Sequence, residues 1–212
     1  MMQQLQERPN AGRTSSPPLK MTYEEFLQWA DEDTWAEWVD GEVILLSPAT
    51  ERHQDLDGFL LALFRFFVDV HNLGVVFGPP FQMKTGPNLP GREPDIIFIA
   101  REHLDRLKDV FLDGPADLVV EIVSRDSRTR DSRDKLREYQ EGGVPEYWMV
   151  DPDRQQARFY QLGEDGIYHL VSPDENGIYR SAALKGLRLK VDWLWQKPLP
   201  RLPGVLKELG LI

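Results

Sequence analysis

The pattern of apolar and polar positions changes along the chain, and these changes predict where helices and strands lie. The most continuous apolar segment, "GFLLALFRFFVDV", is interrupted by Arg65 and Asp69. It falls short of the about 20 apolar residues that a helix needs to cross a bilayer. The pattern therefore predicts a core helix over about His53 to Val70 and no membrane span.

Shorter patterns predict further elements on either side of this helix. Thr22 followed by Glu25 is typical of a capping box that opens a short helix. Asp40-Gly41 separates two strand-like runs, which is a strong hairpin signal. Strands and helices alternate through the middle, including a helix over about 130–140. Strands dominate the last part, through "VDWLW". We predict an α+β (α/β-like) fold with a mixed sheet flanked by helices.

Length and composition are those of one globular domain. The 212 residues are 41% hydrophobic and 28% charged, so we expect a single domain over 21–212. Residues 1–20 are rich in Gln, Pro and Ser and have no periodic apolar pattern, so we expect a flexible tail there. The tail has no apolar secretory segment and the chain has no cysteine, which favours a cytoplasmic location. A net charge of -10 argues against a protein that coats nucleic acid through bulk electrostatics.

Two acidic residues stand where apolar strands are predicted, and such residues are costly to bury unless they are paired or bind a metal. Asp95 opens "DIIFIA" and Glu121 lies inside "DLVVEIVS", on the face that also carries Val119 and Val123. If the two strands are neighbours, the carboxylates converge and offer Mg²⁺ the oxygen ligands that it prefers. The alternative is that Asp95 caps the turn after Pro94 and Glu121 pairs with a nearby arginine.

The ordered set "EPDIIF", "LVVEIVS" and "DSRDKLREYQEGGVPEYWMVDP", with the hairpin "WAEWVDGEVILLSPATERH" before it, resembles the Uma-type restriction endonucleases of the PD-(D/E)xK nuclease superfamily. The likeness covers most of Met21 to Asp151. It implies a restriction-endonuclease-like mixed central sheet with flanking helices and added hairpins. The site core would then lie within about 35–151, with a β-rich C-terminal extension after it.

The resemblance also implies roles for individual residues. Asp95 and Glu121, with the backbone carbonyl of Ile122, would bind Mg²⁺ or Mn²⁺. The superfamily expects a lysine two residues after the acid, but Val123 stands there, so we assign that role to Lys135 on the following helix. The alternative for Lys135 is a surface ion pair with Asp131.

Two further residues are candidate additions to the site. Glu37, in "EWVDGE", is either an additional ligand or a structural partner. His53 either caps the long helix or reaches the site.

The function that this reading predicts is metal-dependent hydrolysis of DNA phosphodiester bonds. The competing hypothesis is a nuclease-derived scaffold with little or no turnover that binds protein or nucleic acid. We also expect a homodimer, because Trp193 and Trp195 stand at alternating positions of the last predicted strand. The competing explanation for these tryptophans is that they close the core.

Overall fold

The structure is a computed structural model that describes residues 20–31, 34–123 and 131–212. The predicted tail therefore lies outside the described residues, apart from Lys20, which forms an antiparallel bridge with Glu42. Within the described residues the helices are α1 (Tyr23–Trp29), α2 (Glu51–His71), α3 (Asp131–Glu141) and α4 (Leu202–Glu208). Two 3₁₀ helices span Arg101–Arg106 and Val191–Trp195.

The strands in the same part of the chain fall into three sheets. They are β1 (Ala36–Val39), β2 (Glu42–Leu45), β3 (Gly74–Phe77), β4 (Gln82–Lys84), β5 (Gly91–Arg92), β6 (Ile96–Ala100), β7 (Phe111–Asp113), β8 (Leu118–Ile122), β9 (Glu146–Asp151), β10 (Gln156–Leu162), β11 (Tyr168–Val171), β12 (Ile178–Arg180) and β13 (Arg188–Lys190). The largest sheet has the order β11-β10-β9-β8-β6-β3, the second has the order β2-β1-β5-β4-β7, and β12 pairs with β13. The largest sheet is mixed, because β8 and β9 are parallel and its other pairs are antiparallel.

Helix α2 forms because its apolar residues recur every three or four positions and because both of its ends are capped. Leu56, Leu60, Leu63 and Phe64 are all completely buried, and burial of each such side chain contributes about 1.5–3 kcal/mol. The helix begins after Thr50, whose side chain accepts a hydrogen bond from a backbone N–H in the first turn. It ends at Asn72, which adopts the left-handed conformation (φ 53°).

Strand β8 separates two cores because its side chains alternate between the faces of the sheet. Leu118, Val120 and Ile122 pack in the core that α2 covers, whereas Val119 packs in the core that contains Tyr139 of α3. The predicted alternation is thus confirmed. It directs Glu121 toward α3.

The second sheet begins with the predicted hairpin. Asp40 (φ 51°) and Gly41 (φ 86°) both have positive φ angles, as a type I′ turn requires. The capping box of α1 is also present: the Thr22 side chain accepts from the backbone N–H of Glu25, and the Glu25 carboxylate accepts from that of Thr22. Helix α1 packs on the hairpin through Phe26, which is completely buried.

The C-terminal part differs from the prediction at "VDWLW", which forms a 3₁₀ helix instead of a strand. Trp193 and Leu194 are consecutive and both buried in the α2 core. A strand would direct these neighbours to opposite faces, whereas a helical turn lets both reach one core. Trp193 and Trp195 pack within the chain, so the homodimer stays a prediction without this support.

These elements confirm the predicted α+β class with mixed sheets flanked by helices. None of the helices in the described ranges combines the length and the apolar character that a transmembrane segment requires.

The C-terminal extension depends on one buried carboxyl group, and this dependence can be tested. Glu146 is completely buried and accepts hydrogen bonds from Trp148 Nε1, Tyr179 Oη, Ser181 Oγ and the Ala183 backbone N–H, at 2.6–2.9 Å. Glu146→Met leaves these buried donors without an acceptor, so we expect the free energy of unfolding to fall by more than about 3 kcal/mol. Urea unfolding measures this. The exposed control Glu164→Met should stay within about 0.5 kcal/mol of wild type, and equal midpoints for the two variants would contradict the assignment.

Candidate active site

Adjacent strands bring Asp95 and Glu121 together. Strands β6 and β8 are antiparallel, with Ile96 opposite Val120. Asp95, the residue before β6, therefore lies opposite Glu121. The backbone N–H of Ile122 donates a 2.6 Å hydrogen bond to Asp95 Oδ2. The predicted neighbourhood of these two strands is therefore present, and both carboxylates lie at the same end of the strand pair.

Lys135 reaches this point from helix α3. Its Nζ lies 3.0 Å from Glu121 Oε1, 2.9 Å from Glu121 Oε2 and 3.0 Å from Glu37 Oε1. Tyr139, one turn later, donates a 2.6 Å hydrogen bond from its hydroxyl to Glu121 Oε1. Lys135 is only 7% exposed, so its ammonium group is held between two carboxylates inside the protein. It is not a surface residue.

Arg92 and Glu138 complete a buried network of charges. Arg92 Nη1 lies 2.7 Å from Glu37 Oε2, and the Nε and Nη2 atoms of Arg92 donate to the two carboxylate oxygens of Glu138 at 2.8 and 2.9 Å. Glu37 thus lies between Arg92 and Lys135. Arg92 and Glu138 were not among the residues that the sequence predicted for the site. Each is a charged residue close to a candidate residue in the sequence: Arg92 lies three residues before Asp95, and Glu138 lies three residues after Lys135. Nothing else in the sequence distinguishes them from exposed charged residues.

His53 and Asp57 approach the site from α2. The His53 backbone N–H donates to Thr50 Oγ1 at 3.3 Å, and its ring Nε2 lies 3.2 Å from Asp95 Oδ1. His53 therefore takes part in the helix cap and also reaches the site, the two alternatives that its sequence position left open. Asp57 follows one turn later. Its Oδ1 atom is buried and has no hydrogen-bond partner among the described residues.

Burial and neighbouring charges alter the acidity of several of these groups. Burial raises the pKa of Glu121, and the charges of Asp95 and Glu37 add to the effect, while Lys135 opposes it. Burial also raises the pKa of Glu93 to about 7, with Glu37 as the next cause. For Glu37 the effect of burial is outweighed by Lys135 and Arg92, which together lower its pKa.

The donor set fits a hard divalent cation. The described part of the site holds six carboxylates against two permanent cations, Arg92 and Lys135, a formal excess of four negative charges. The carboxylates are those of Glu37, Asp57, Glu93, Asp95, Glu121 and Glu138. Carboxylate oxygens are the ligands that Mg²⁺ prefers, and the buried Oδ1 of Asp57 has no hydrogen-bond partner among the described residues.

Glu121 is the carboxylate on which a cation and Lys135 would compete. A carboxylate has about four lone-pair positions, and the contacts with Lys135 and Tyr139 use three of them. Across the described residues, no three His, Asp or Glu side chains already have the arrangement of a metal site. The contacts with Lys135 and Tyr139 leave about one position of Glu121 for a cation, and a cation that contacted both of its oxygens would require Lys135 to give up part of its contact with Glu121.

The structure brings together all the side chains that the sequence singled out as site candidates: Asp95, Glu121, Lys135, Glu37 and His53. Val123, at the position where the superfamily expects lysine, is an apolar residue that is 8% exposed. Ile122 contributes a backbone N–H to Asp95.

Comparison with known proteins identifies a similar fold and a family. The chain matches a solved structure described as "a putative nuclease belonging to DUF820" from Anabaena variabilis ATCC 29413, with 18% sequence identity and a TM-score of 0.67. The match covers 82% of this chain and 97% of that one, and it shows a shared fold. No protein with a curated description matches the chain. A family model named Uma2 and described as "Putative restriction endonuclease" matches residues 23–192. The chain therefore belongs to the Uma2 family, as the sequence motifs predicted.

Proposed function

We propose that the protein is a metal-dependent endonuclease that hydrolyses DNA phosphodiester bonds. Membership of the Uma2 family supports a nuclease-like function. The observation that carries the proposal is the convergence of Asp95, Glu121 and Lys135 from three different elements, with Lys135 Nζ within 3.0 Å of both Glu121 oxygens. Two carboxylates and one ammonium at one point are the groups that this hydrolysis needs.

In this proposal Asp95 and Glu121, with the backbone carbonyl of Ile122, would hold Mg²⁺ or Mn²⁺. When bound, the ion would lower the pKa of a water molecule and offset charge that develops on the phosphate. The same residues would repel a DNA phosphate on their own, because the carboxylates of the site outnumber its permanent cations. Binding of the substrate phosphate next to Asp95 is therefore expected to need the cation.

Lys135 has a different task, because an ammonium group donates hydrogen bonds and cannot bind a cation. We assign it to orienting the attacking water and to steadying the negative charge of the transition state. Glu37 supports this role: burial raises its pKa, but Lys135 and Arg92 outweigh this effect and lower it, so Glu37 stays ionised beside Lys135. We therefore interpret Glu37 as the structural partner of Lys135, one of the two roles that its sequence position allows.

His53 is assigned to holding Asp95. Its ring Nε2 lies 3.2 Å from Asp95 Oδ1, on the carboxylate oxygen opposite the one that accepts from the Ile122 N–H. The two contacts fix the orientation of the Asp95 carboxylate. A fixed orientation is what a ligand needs when the other ligand comes from a different strand.

The competing hypothesis is a scaffold without turnover. It explains the acidic net charge of -10 without further assumptions. It does not explain why so many carboxylates lie in the apolar interior, where each unneutralised charge costs several kcal/mol.

The first prediction concerns activity and its dependence on Asp95. Purified protein should nick or cut plasmid DNA with Mg²⁺ or Mn²⁺ and stop when a chelator is added. Asp95→Asn should lower the rate by at least about 10²-fold because it removes one ligand charge. Asp105→Asn, at an exposed position, is the matched control. If wild type and Asp95→Asn convert several DNA substrates equally, the cleavage comes from a contaminant and the scaffold hypothesis is favoured.

The second prediction separates the roles of lysine and carboxylates. Lys135→Ala should lower the single-turnover cleavage rate by about 10²–10³-fold, the usual effect of losing one preorganised charge contact. It should bind Mg²⁺ at least as tightly as wild type, because the ammonium that occupies Glu121 is gone. Calorimetry and cleavage on the same preparations measure both quantities, with exposed Lys108→Ala as control. A variant that cleaves like wild type would disprove the role of Lys135.

The third prediction concerns the buried carboxyl group of Asp57. Burial, followed by repulsion from Asp95, raises the pKa of Asp57 to about 6 from 3.8, with His53 opposing the shift. The folded state thus favours the protonated form, and this contribution to stability is present at low pH and lost as the pH rises through the folded pKa.

Metal-free wild type should therefore lose thermal stability relative to Asp57→Asn between about pH 4 and pH 7. Asp55→Asn, two residues earlier at an exposed position, should follow wild type. Melting temperatures across this range measure the difference. Parallel curves for wild type and Asp57→Asn would show that ionisation of Asp57 does not lower the stability of the folded protein.

A further inference from the structure

Because Lys135 lies on a helix, the helix must be held in place against the sheets for the lysine to reach Glu121. A lysine at position 123, beside Glu121 in the chain, would not depend on a helix in this way. A lysine two residues after Glu121 would share a strand with it, and the backbone alone would set their separation. Lys135 instead belongs to α3, so its distance from Glu121 depends on how that helix is held against the sheets. An error of about 1 Å in the position of a catalytic group can cost about 10²-fold in rate.

A contact that fixes this helix is present beside the site. Arg92 and Glu138 form a two-pronged ion pair, with Nε to Oε2 at 2.8 Å and Nη2 to Oε1 at 2.9 Å. The third arm of the same guanidinium reaches Glu37 at 2.7 Å, and Glu37 in turn contacts Lys135 at 3.0 Å. The planar fork of arginine matches a carboxylate in this way, and lysine cannot reproduce it.

The spacing of the pair links it to the site. Arg92 lies three residues before Asp95 in the chain, and Glu138 lies three residues after Lys135 on α3, which is about one helical turn. One ion pair therefore joins the segment that carries Asp95 to the helix that carries Lys135. We call Arg92 and Glu138 the clamp.

Burial makes the clamp rigid. The side chains of Arg92 and Glu138 are 6% and 9% exposed. Removing one partner of a buried ion pair leaves the other charge uncompensated, so α3 cannot shift away from β5 without a large cost. An ion pair that served stability alone could be replaced by packed apolar side chains at little cost; an orienting device needs the directional fork.

We propose that Arg92 and Glu138 are positioning residues whose ion pair holds α3, and with it Lys135, in place at the site. Neither residue touches the reacting atoms; both act through Lys135, Arg92 by way of Glu37. This inference rests on the proposed nuclease function for its catalytic meaning. The structural part, the placing of the ammonium, can be measured without any activity.

The experiment compares Glu138→Gln and Arg92→Lys with wild type. The control is Arg137→Gln, which removes an exposed ion pair with Asp134 on the same helix. Proton–nitrogen NMR of lysine ammonium groups detects those that are shielded from exchange with water. The signal of Lys135, assigned by its absence in Lys135→Ala, should be present in wild type and Arg137→Gln and lost in both clamp variants.

Single-turnover cleavage on the same preparations gives the second readout. We expect both clamp variants to lose roughly 10²-fold in rate, while Arg137→Gln stays within about twofold of the wild-type rate. Calorimetry should show that the clamp variants bind Mg²⁺ at least as tightly as wild type, because Lys135 no longer occupies Glu121. Arg92→Lys keeps the buried positive charge, so it tests the clamp even if Glu138→Gln is too unstable to study.

The outcomes are distinct. A retained Lys135 signal in the clamp variants, or an unchanged cleavage rate, overturns the clamp. If wild type does not cleave DNA, the proposed function fails and the NMR comparison alone decides whether the clamp places Lys135.

Discussion

The site is organised around one buried ammonium group between two carboxylates. Lys135 Nζ contacts both oxygens of Glu121 and one oxygen of Glu37, at 2.9–3.0 Å. A charge removed from water needs such partners, because burial of an unpaired ion costs several kcal/mol. Each neighbouring feature follows from this need: α3 must approach the sheets closely enough for Lys135 to reach Glu121, and β1 must place Glu37 on the other side of the ammonium.

The same interaction offsets part of the negative charge that the fold gathers in this site. Lys135 neutralises part of the charge at Glu121, and Arg92 does the same at Glu37 and Glu138. Burial, and after it the negative charge of Glu37, raises the pKa of Glu93 to about 7. Under the proposed function, a divalent cation and Lys135 would compete for the Glu121 oxygens. The lysine would then stabilise the buried carboxylates when no ion is bound and would act as a catalytic group in the presence of the ion.

The sequence was most informative where the signal is local. The capping box at Thr22, the turn at Asp40 and the alternation through Glu121 each depend on neighbouring residues, and each is present in the structure. The motifs around Asp95 and Glu121 also identified the family correctly. Local periodicity failed at "VDWLW", where burial of two consecutive residues required a 3₁₀ helix.

The network behind the site could not be predicted in the same way. Arg92 and Glu138 are 46 positions apart and belong to different elements, so only the packing of α3 against the second sheet brings them together. Neither residue is unusual in its own segment, since arginine and glutamate are common on exposed surfaces. The burial of Glu37 between two cations has the same origin: it depends on strand order, which the hairpin pattern does not reveal.

The central claim is that Asp95 and Glu121 share a divalent cation that displaces Lys135 from part of its contact with Glu121. The most direct measurement is a crystal structure of the protein with Mn²⁺, using anomalous scattering to locate the ion. The expected result is one strong peak within coordination distance of a carboxylate oxygen of Asp95 and of Glu121, with Lys135 still bound to Glu37. A crystal grown with Mn²⁺ that shows no peak at this position, and in which Lys135 still contacts both oxygens of Glu121, would contradict the claim.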